Sequence, residues 1–346
     1  MHKTLLLLLL SSVSATNAQN SLKRALFLGN SYTYYNTLPQ LTAQIAANQQ
    51  DTLLFDSNTP GGYKFSDHNA DATSLAKIAD TTRTKHWNFV VLQEQSQLPA
   101  FPIAQVQTQC FPYAQALNTH IKDANPQAET VFYMTWGRKN GDASNCANFA
   151  PMCTYNGMDS LLRLRYIAMM TDNEAQMSPV GAVWRHIRTN FSTIELYQAD
   201  ESHPSLAGSY AAACTFYTVF FQKNPELITF DGGLASADAA NIRASVKTIV
   251  FDNLQTWNIT DLNPTMPSKA NASGIDWIKI LPNPAHDTVF IDYAEAIETI
   301  EMVDVSGKTI VAPFDTATKS INITQLPQGT YFVLINKTAF AKFVKQ

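Results

Sequence analysis

From residue 22 to about residue 222 the chain alternates short apolar runs with longer stretches of helical periodicity, and no other feature restricts its fold so much. The runs at 24–28, 52–55, 89–92, 130–135 and 177–180 have the length and side chains of strands. Between them, 39–48, 74–82, 103–123 and 158–171 read as helices, and 205–221 as an apolar helix closing the series. Strands separated by helices do not pair as hairpins; each helix crosses back over the sheet and the strands run parallel. The expected domain is a three-layer α/β/α structure of flavodoxin-like type, in which ligands bind beyond the carboxyl ends of the strands.

That pattern stops at 258–274, where Asn263-Pro264-Thr265-Met266-Pro267-Ser268 and Asn271-Ala272-Ser273-Gly274 carry no apolar period and read as a linker. Beyond it, strands are expected at 277–281, 288–293, 297–305, 309–312, 320–323, 330–335 and 340–345, with turns at Ser306-Gly307-Lys308 and Pro327-Gln328-Gly329. Close-set strands of this kind make a small all-β, immunoglobulin-like sandwich. At the other end, His2-Lys3, the apolar run 5–10 and the small residues closing on Thr16-Asn17-Ala18 have the form of a secretory signal peptide. The run is too short to span a bilayer as a helix, and no later apolar run is long enough. The chain therefore divides into a signal peptide over 1–18, an α/β domain over 19–257, a linker over 258–274 and a β domain over 275–346, with no membrane span.

Export places Cys110, Cys146, Cys153 and Cys214 in oxidising surroundings. Four cysteines allow three pairings; Cys146 and Cys153, close together in a loop-like stretch, are the favoured pair. With 15% charged residues and a formal net charge of −4, the chain has no field to hold a polyanion, which argues against nucleic acid as a partner. The sequence contains no zinc-protease, paired C-x-x-C, calcium-loop or G-x-G-x-x-G pattern, so neither a metal nor a cofactor is called for.

The chemistry gathers at Leu28-Gly29-Asn30-Ser31-Tyr32, directly after the first strand, and at Asp200-Glu201-Ser202-His203-Pro204-Ser205. A serine where a strand ends has an exposed hydroxyl, and the neighbouring backbone N–H groups can face an anion. An aspartate three residues before a histidine can hold the imidazole from within one tight loop. Ser31 as nucleophile, His203 as base and Asp200 as its orienting acid make a Ser-His-Asp arrangement for acyl transfer.

These segments resemble the first and last sequence blocks of the SGNH, or GDSL-type, hydrolases: Gly29-Asn30-Ser31 stands where many members have Gly-Asp-Ser, and Asp200 to His203 fits their D-x-x-H block. The resemblance implies an oxyanion hole built from the N–H of Ser31, a glycine N–H of the second block and an asparagine side chain of the third. Thr59-Pro60-Gly61-Gly62-Tyr63 supplies the glycine, with Gly62 favoured. The third block departs from the family pattern, because Gln93-Glu94-Gln95-Ser96-Gln97 contains no asparagine and resembles instead the Gln-Gly-Glu-Ser-Asn segment of some carbohydrate acetylesterases. A glutamine amide offers the same N–H₂ one methylene further out. Gln93, Gln95 or Gln97 could replace the asparagine, with Gln95 preferred and the other two as substrate contacts.

The loop Trp136-Gly137-Arg138-Lys139 follows the fourth strand, so Trp136 could stack on a sugar ring and Arg138 could hold a uronate carboxylate, while Trp184 is a further substrate-binding candidate. His68 reads as an ordinary surface histidine. Together these residues point to a secreted serine esterase acting on ester groups, O-acetyl above all, of a polysaccharide or glycan. A lipase or general carboxylesterase is the alternative, and a non-catalytic glycan-binding protein on the same scaffold is a third reading.

The tail resembles the C-terminal sorting domain of the bacterial type IX secretion system. The resemblance rests on Ile280-Leu281-Pro282-Asn283-Pro284, Val303-Asp304-Val305-Ser306-Gly307-Lys308, Leu326-Pro327-Gln328-Gly329-Thr330-Tyr331 and Lys342-Phe343-Val344-Lys345. It implies the type IX machinery as a partner and a destination outside the cell or on its surface.

Overall fold

The computed structural model of the chain describes residues 20–80, 86–259, 279–293, 296–304, 309–335 and 339–346. The segment read as a signal peptide, most of that read as a linker and the turn expected at 306–308 lie outside the described residues. The first domain is built on five parallel strands, β1 (Leu22–Leu28), β2 (Thr52–Asn58), β3 (Phe89–Leu92), β4 (Glu129–Tyr133) and β5 (Gln176–Ser178), in the order β2-β1-β3-β4-β5. Residue 180 does not belong to the fifth strand, as the apolar run suggested. Pro179, which cannot donate to a ladder, ends the strand, and Val180 opens the helix Val180–Asn190.

β1 lies between β2 and β3, so Leu28 has Asn58 on one side and Leu92 on the other. That register sets the loops after all three strands side by side at one end of the sheet. The sheet is closed by helices on both faces, among them Leu38–Asn48 and the buried Leu206–Phe221, whose Phe216 meets Phe27 edge-on at 5.3 Å between ring centres. The single helix expected over 103–123 is two helices, Ile103–Gln109 and Phe111–Ala124. Pro112 accounts for the break: it has no N–H to give Thr108, and its ring collides with the carbonyl there.

The tail forms two four-stranded antiparallel sheets. One joins Phe314–Asp315, Ser320–Asn322, Thr288–Asp292 and Lys279–Leu281, and the other Ala339–Lys345, Gly329–Ile335, Ile300–Asp304 and Thr309–Ile310. Val289 and Ile291 alternate with exposed neighbours and share a core with Ile321, Val333 and Phe343, as in a sandwich. Among the described residues, no helix is long and apolar enough to cross a membrane.

Candidate active site

Ser31 begins a one-turn helix, Ser31–Tyr34, at the carboxyl end of β1. Asn30 caps that turn, its Oδ1 accepting from Tyr32 N at 3.1 Å, while its Nδ2 donates to Tyr63 O at 2.9 Å. Gly29 has to be glycine for want of room: a Cβ there would lie 2.4 Å from Thr33 Oγ1 and 2.8 Å from Gln93 Oε1.

The second segment is a tight loop between Tyr197 and Ser205. Glu201 adopts a left-handed backbone (φ 60°), and Gln198 N donates to His203 O at 2.8 Å. Asp200 organises this loop with both oxygens. Oδ1 accepts from the N–H groups of Ser202 (3.0 Å) and His203 (2.9 Å), and Oδ2 lies 2.5 Å from His203 Nδ1. Burial opposes ionisation of Asp200, but the His203 hydrogen bond and the two N–H groups outweigh it and hold the carboxyl below its ordinary range. The opposite nitrogen, Nε2, lies 2.8 Å from Ser31 Oγ. Residues 172 positions apart thus form one hydrogen-bonded chain, Asp200–His203–Ser31.

Two tyrosines from the Ser31 segment bracket the imidazole. Tyr35 stacks on its face at 4.4 Å between ring centres, and Tyr32 meets it edge-on at 5.5 Å. Tyr35 is set there by a turn with two consecutive left-handed residues, Asn36 (φ 51°) and Thr37 (φ 50°). Asn36 Nδ2 stabilises that turn by donating to Pro204 O, Ser205 O and Ser209 Oγ at 2.8–3.1 Å.

Trp136 and Trp184 do not reach the surface, and their expected role as substrate contacts is corrected by burial: both are 0% exposed. They continue a stack, Tyr32–Trp136–Trp184, with ring centres 4.7 and 3.7 Å apart, beneath the His203 loop. Trp136 Nε1 donates to Ser202 O at 3.1 Å, so the indole supports the loop from inside.

The glutamine-rich block divides similarly. Gln93 is fully buried, its Oε1 accepting from Asn30 N (3.0 Å) and Thr33 Oγ1 (2.9 Å), which makes it a brace of the Ser31 loop and removes it as a substrate contact. Gln95 is partly exposed; its Oε1 accepts from Gln97 N and Leu98 N, and its Nε2 gives one hydrogen to Gln97 Oε1 at 3.0 Å, leaving the second N–H unengaged among the described residues. Gln97 Nε2 donates to Asp142 Oδ2. Asp142 also accepts from Asn145 Nδ2, Ser144 N and Arg138 Nη1, and its loop is closed by a Cys146–Cys153 disulfide. Cys110 and Cys214 are buried free thiols. Burial of Asp142 is more than offset by Asn145, Gln97 and Arg138, which keep it ionised below its ordinary range. Arg138 is therefore already paired, and a substrate carboxylate would share its guanidinium with Asp142.

Gly62 occupies a turn in which Tyr63 N donates to Pro60 O at 3.3 Å; its φ of +75° is the reason for glycine. Asn30 Nδ2, bonded to Tyr63 O, ties this turn to the Ser31 loop.

Two residues of the site escaped the sequence reading. His68 is wholly buried rather than on the surface; its spacing from Phe65, one helical turn back on the same buried face, was the available signal. Glu94, also wholly buried, accepts at Oε1 from Phe65 N (3.1 Å) and Gln95 N (2.6 Å), joining the second and third blocks.

Burial pushes the Glu94 carboxyl up to about 8, against the pull of those two N–H donors and of the Cys110 thiol. At pH 7 the folded protein thus retains a proton that the unfolded chain, titrating near 4.5, has released. Stability from this group is full below the unfolded value, falls as pH rises and levels off near 8; at 1.36 kcal/mol per unit the deficit at pH 7 is about 3 kcal/mol. Glu94→Gln keeps the Oε1 acceptor and abolishes the titration. Its Tm should exceed that of the wild type clearly at pH 7.5 and only slightly at pH 4.5, and an equal difference at both would show that Glu94 is ionised in the fold.

Residues 279–346 match the family described as the secretion system C-terminal sorting domain. Among curated proteins, none matches the chain significantly in sequence. Among solved structures, a DUF4886 family protein from Bacteroides uniformis is 15% identical and matches with a TM-score of 0.58 over 70% of this chain and 98% of its own. A protein from Slackia heliotrinireducens assigned to the SGNH hydrolases is 27% identical over 56% of this chain and 97% of its own, with a TM-score of 0.46. The psychrotrophic esterase EstA from a Pseudoalteromonas species is 14% identical over 56% of this chain and 94% of its own, with a TM-score of 0.39. Of these, the first establishes the fold. The chain thus joins an α/β domain with the fold of that DUF4886 protein to a secretion system C-terminal sorting domain, which marks it for type IX export to the cell surface or the extracellular space.

Proposed function

We propose that the α/β domain is a serine ester hydrolase that removes acyl groups, chiefly O-acetyl, from carbohydrate. The observation that carries this reading is the hydrogen-bonded chain from Asp200 through His203 to Ser31 at the carboxyl end of β1. Ser31 Oγ attacks the ester carbonyl carbon as its proton passes to His203 Nε2, and Asp200 stabilises the resulting imidazolium. The oxyanion is held by the N–H groups of Ser31 and Gly62 and the unengaged N–H of Gln95. Collapse breaks the bond to the sugar oxygen, which takes the proton from His203 and leaves an acyl-Ser31. Water, deprotonated by His203, then releases the acid and restores Ser31.

With Trp136 and Trp184 buried, support for a sugar comes from Tyr35 against His203, from Tyr34 beside it, 48% exposed, and from export to where polymeric glycans lie. The same exposed Tyr34, together with Leu206 at 39% exposure, favours a second reading, a general carboxylesterase with an apolar acyl site. Acetate release from a panel of acetylated polysaccharides, set beside hydrolysis of nitrophenyl esters of rising chain length, separates them. A carbohydrate acetylesterase should release polymer-bound acetate and lose activity beyond short acyl chains; rising activity on long chains with no acetate release would favour the carboxylesterase.

A further inference from the structure

The Gly29–Asn30 peptide immediately precedes the one that carries the Ser31 N–H, and two buried side chains grip it. Asn30 N donates to Gln93 Oε1 at 3.0 Å, and Gly29 O lies 2.9 Å from His68 Nε2. A carbonyl oxygen only accepts, so His68 Nε2 carries a hydrogen. The other nitrogen, Nδ1, lies 2.8 Å from Ser74 Oγ. Burial holds the His68 pKa below its ordinary value, and in the neutral ring Nδ1 is the acceptor. The one hydroxyl hydrogen of Ser74 then goes to Nδ1 rather than to Asp71 Oδ2, 2.9 Å away, and Ser74 Oγ itself accepts from Asn58 Nδ2 at 2.9 Å. Asp71 Oδ2 anchors the far end through Ser74 N (2.9 Å) and Asn58 Nδ2 (2.7 Å).

His68 is therefore a bridge between the end of β2, the helix Ala72–Ala79 and the backbone of the Ser31 loop. It is 0% exposed and has no route to substrate. Rotation of the Gly29–Asn30 peptide would carry Asn30 with it and re-aim both the Ser31 N–H and the start of the helical turn that orients Ser31 Oγ.

We propose that His68 is a positioning residue for the reaction, acting through the Gly29 carbonyl to aim the Ser31 N–H and hydroxyl. The inference rests on the ester hydrolysis proposed above. Two near-isosteric variants of the full chain divide the histidine's two contacts. In His68→Gln the amide nitrogen replaces Nε2, keeping the donor to Gly29 and releasing Ser74; in His68→Asn the amide ends where Nδ1 lies, keeping Ser74 and releasing Gly29. For nitrophenyl acetate, H68Q should retain kcat within about threefold, and H68N should lose roughly ten- to hundredfold in kcat with KM nearly unchanged, the scale for a misplaced reacting group. Labelling of Ser31 by a fluorophosphonate should slow in parallel.

Wild-type kcat in H68N, or equal losses in both variants that track lost thermal stability, would overturn the proposal. If H68N does not fold, His68→Met takes its place, since it fills the space of H68Q without a donor to Gly29: a kcat roughly ten- to hundredfold below that of H68Q with KM nearly unchanged supports the role, and a kcat equal to that of H68Q refutes it. A folded wild type that neither turns over ester nor takes the label would remove the hydrolase reading itself, and this proposal with it. An active, labelled wild type beside an unimpaired H68N removes the proposal alone.

Discussion

Ser31→Ala should abolish ester turnover, by roughly 10⁴- to 10⁶-fold, without lowering thermal stability. The substitution deletes one oxygen, 2.8 Å from His203 Nε2, and leaves the Asn30 cap and the Gln93 brace untouched. His203→Ala should cost about as much, because nucleophile and base act as a unit. Asp200→Asn should cost less, on the order of 10⁴-fold, for a reason visible in the loop. The amide oxygen can still accept from the N–H groups of Ser202 and His203, so the loop keeps its shape. The amide nitrogen, however, would meet His203 Nδ1 as a donor and favour the tautomer with its hydrogen on Nε2, which cannot take a proton from Ser31. Steady-state kinetics with nitrophenyl acetate, with circular dichroism to confirm folding, measures all three. Wild-type turnover in folded Ser31→Ala would end the serine mechanism.

The largest effect on stability should come from Trp136→Ala. This side chain is fully buried between Tyr32 and Trp184 and donates to Ser202 O, so its removal leaves a large cavity and an orphaned carbonyl. Phe or Trp to Ala in a core costs about 3–5 kcal/mol, and Tm should fall by roughly 10 °C or more for a domain of this size. Because Tyr32 loses its support and Ser202 its partner, kcat should fall as well, with KM little changed. A sugar platform would behave in the opposite way, with a raised KM for glycan and an unaltered Tm. Thermal unfolding and a KM-against-kcat comparison distinguish the two outcomes.

The pattern of strands and helices was legible because it depends on local periodicity, which a sequence records directly. Two boundaries failed where a single backbone constraint intervened, Pro112 splitting one helix and Pro179 ending the fifth strand, and the helices Val180–Asn190 and Ser236–Ile249 were not anticipated. In the tail, alternating apolar positions marked the strands among the described residues, apart from Phe314–Asp315, which was not expected. Ser31, Asp200 and His203 could be singled out because each stands in a short motif with a local reason, a serine at a strand end and an aspartate three residues before a histidine.

What the sequence could not determine was the direction of side chains at the strand ends. Trp136, Gln93, Gln95 and His68 all follow strands at the same end of the sheet or stand close to those that do, and their residue types suit either a ligand or a brace. Burial separated them. The stack beneath the His203 loop turned Trp136 and Trp184 inward, the register of β1 between β2 and β3 set Gln93 against Asn30, and packing of the Phe65–Ala70 helix brought His68 to the Gly29 carbonyl. Strand and helix content follow from interactions between near neighbours in the chain, whereas the facing of a polar side chain is decided by partners distant in the chain, whose positions exist only once the sheet has assembled.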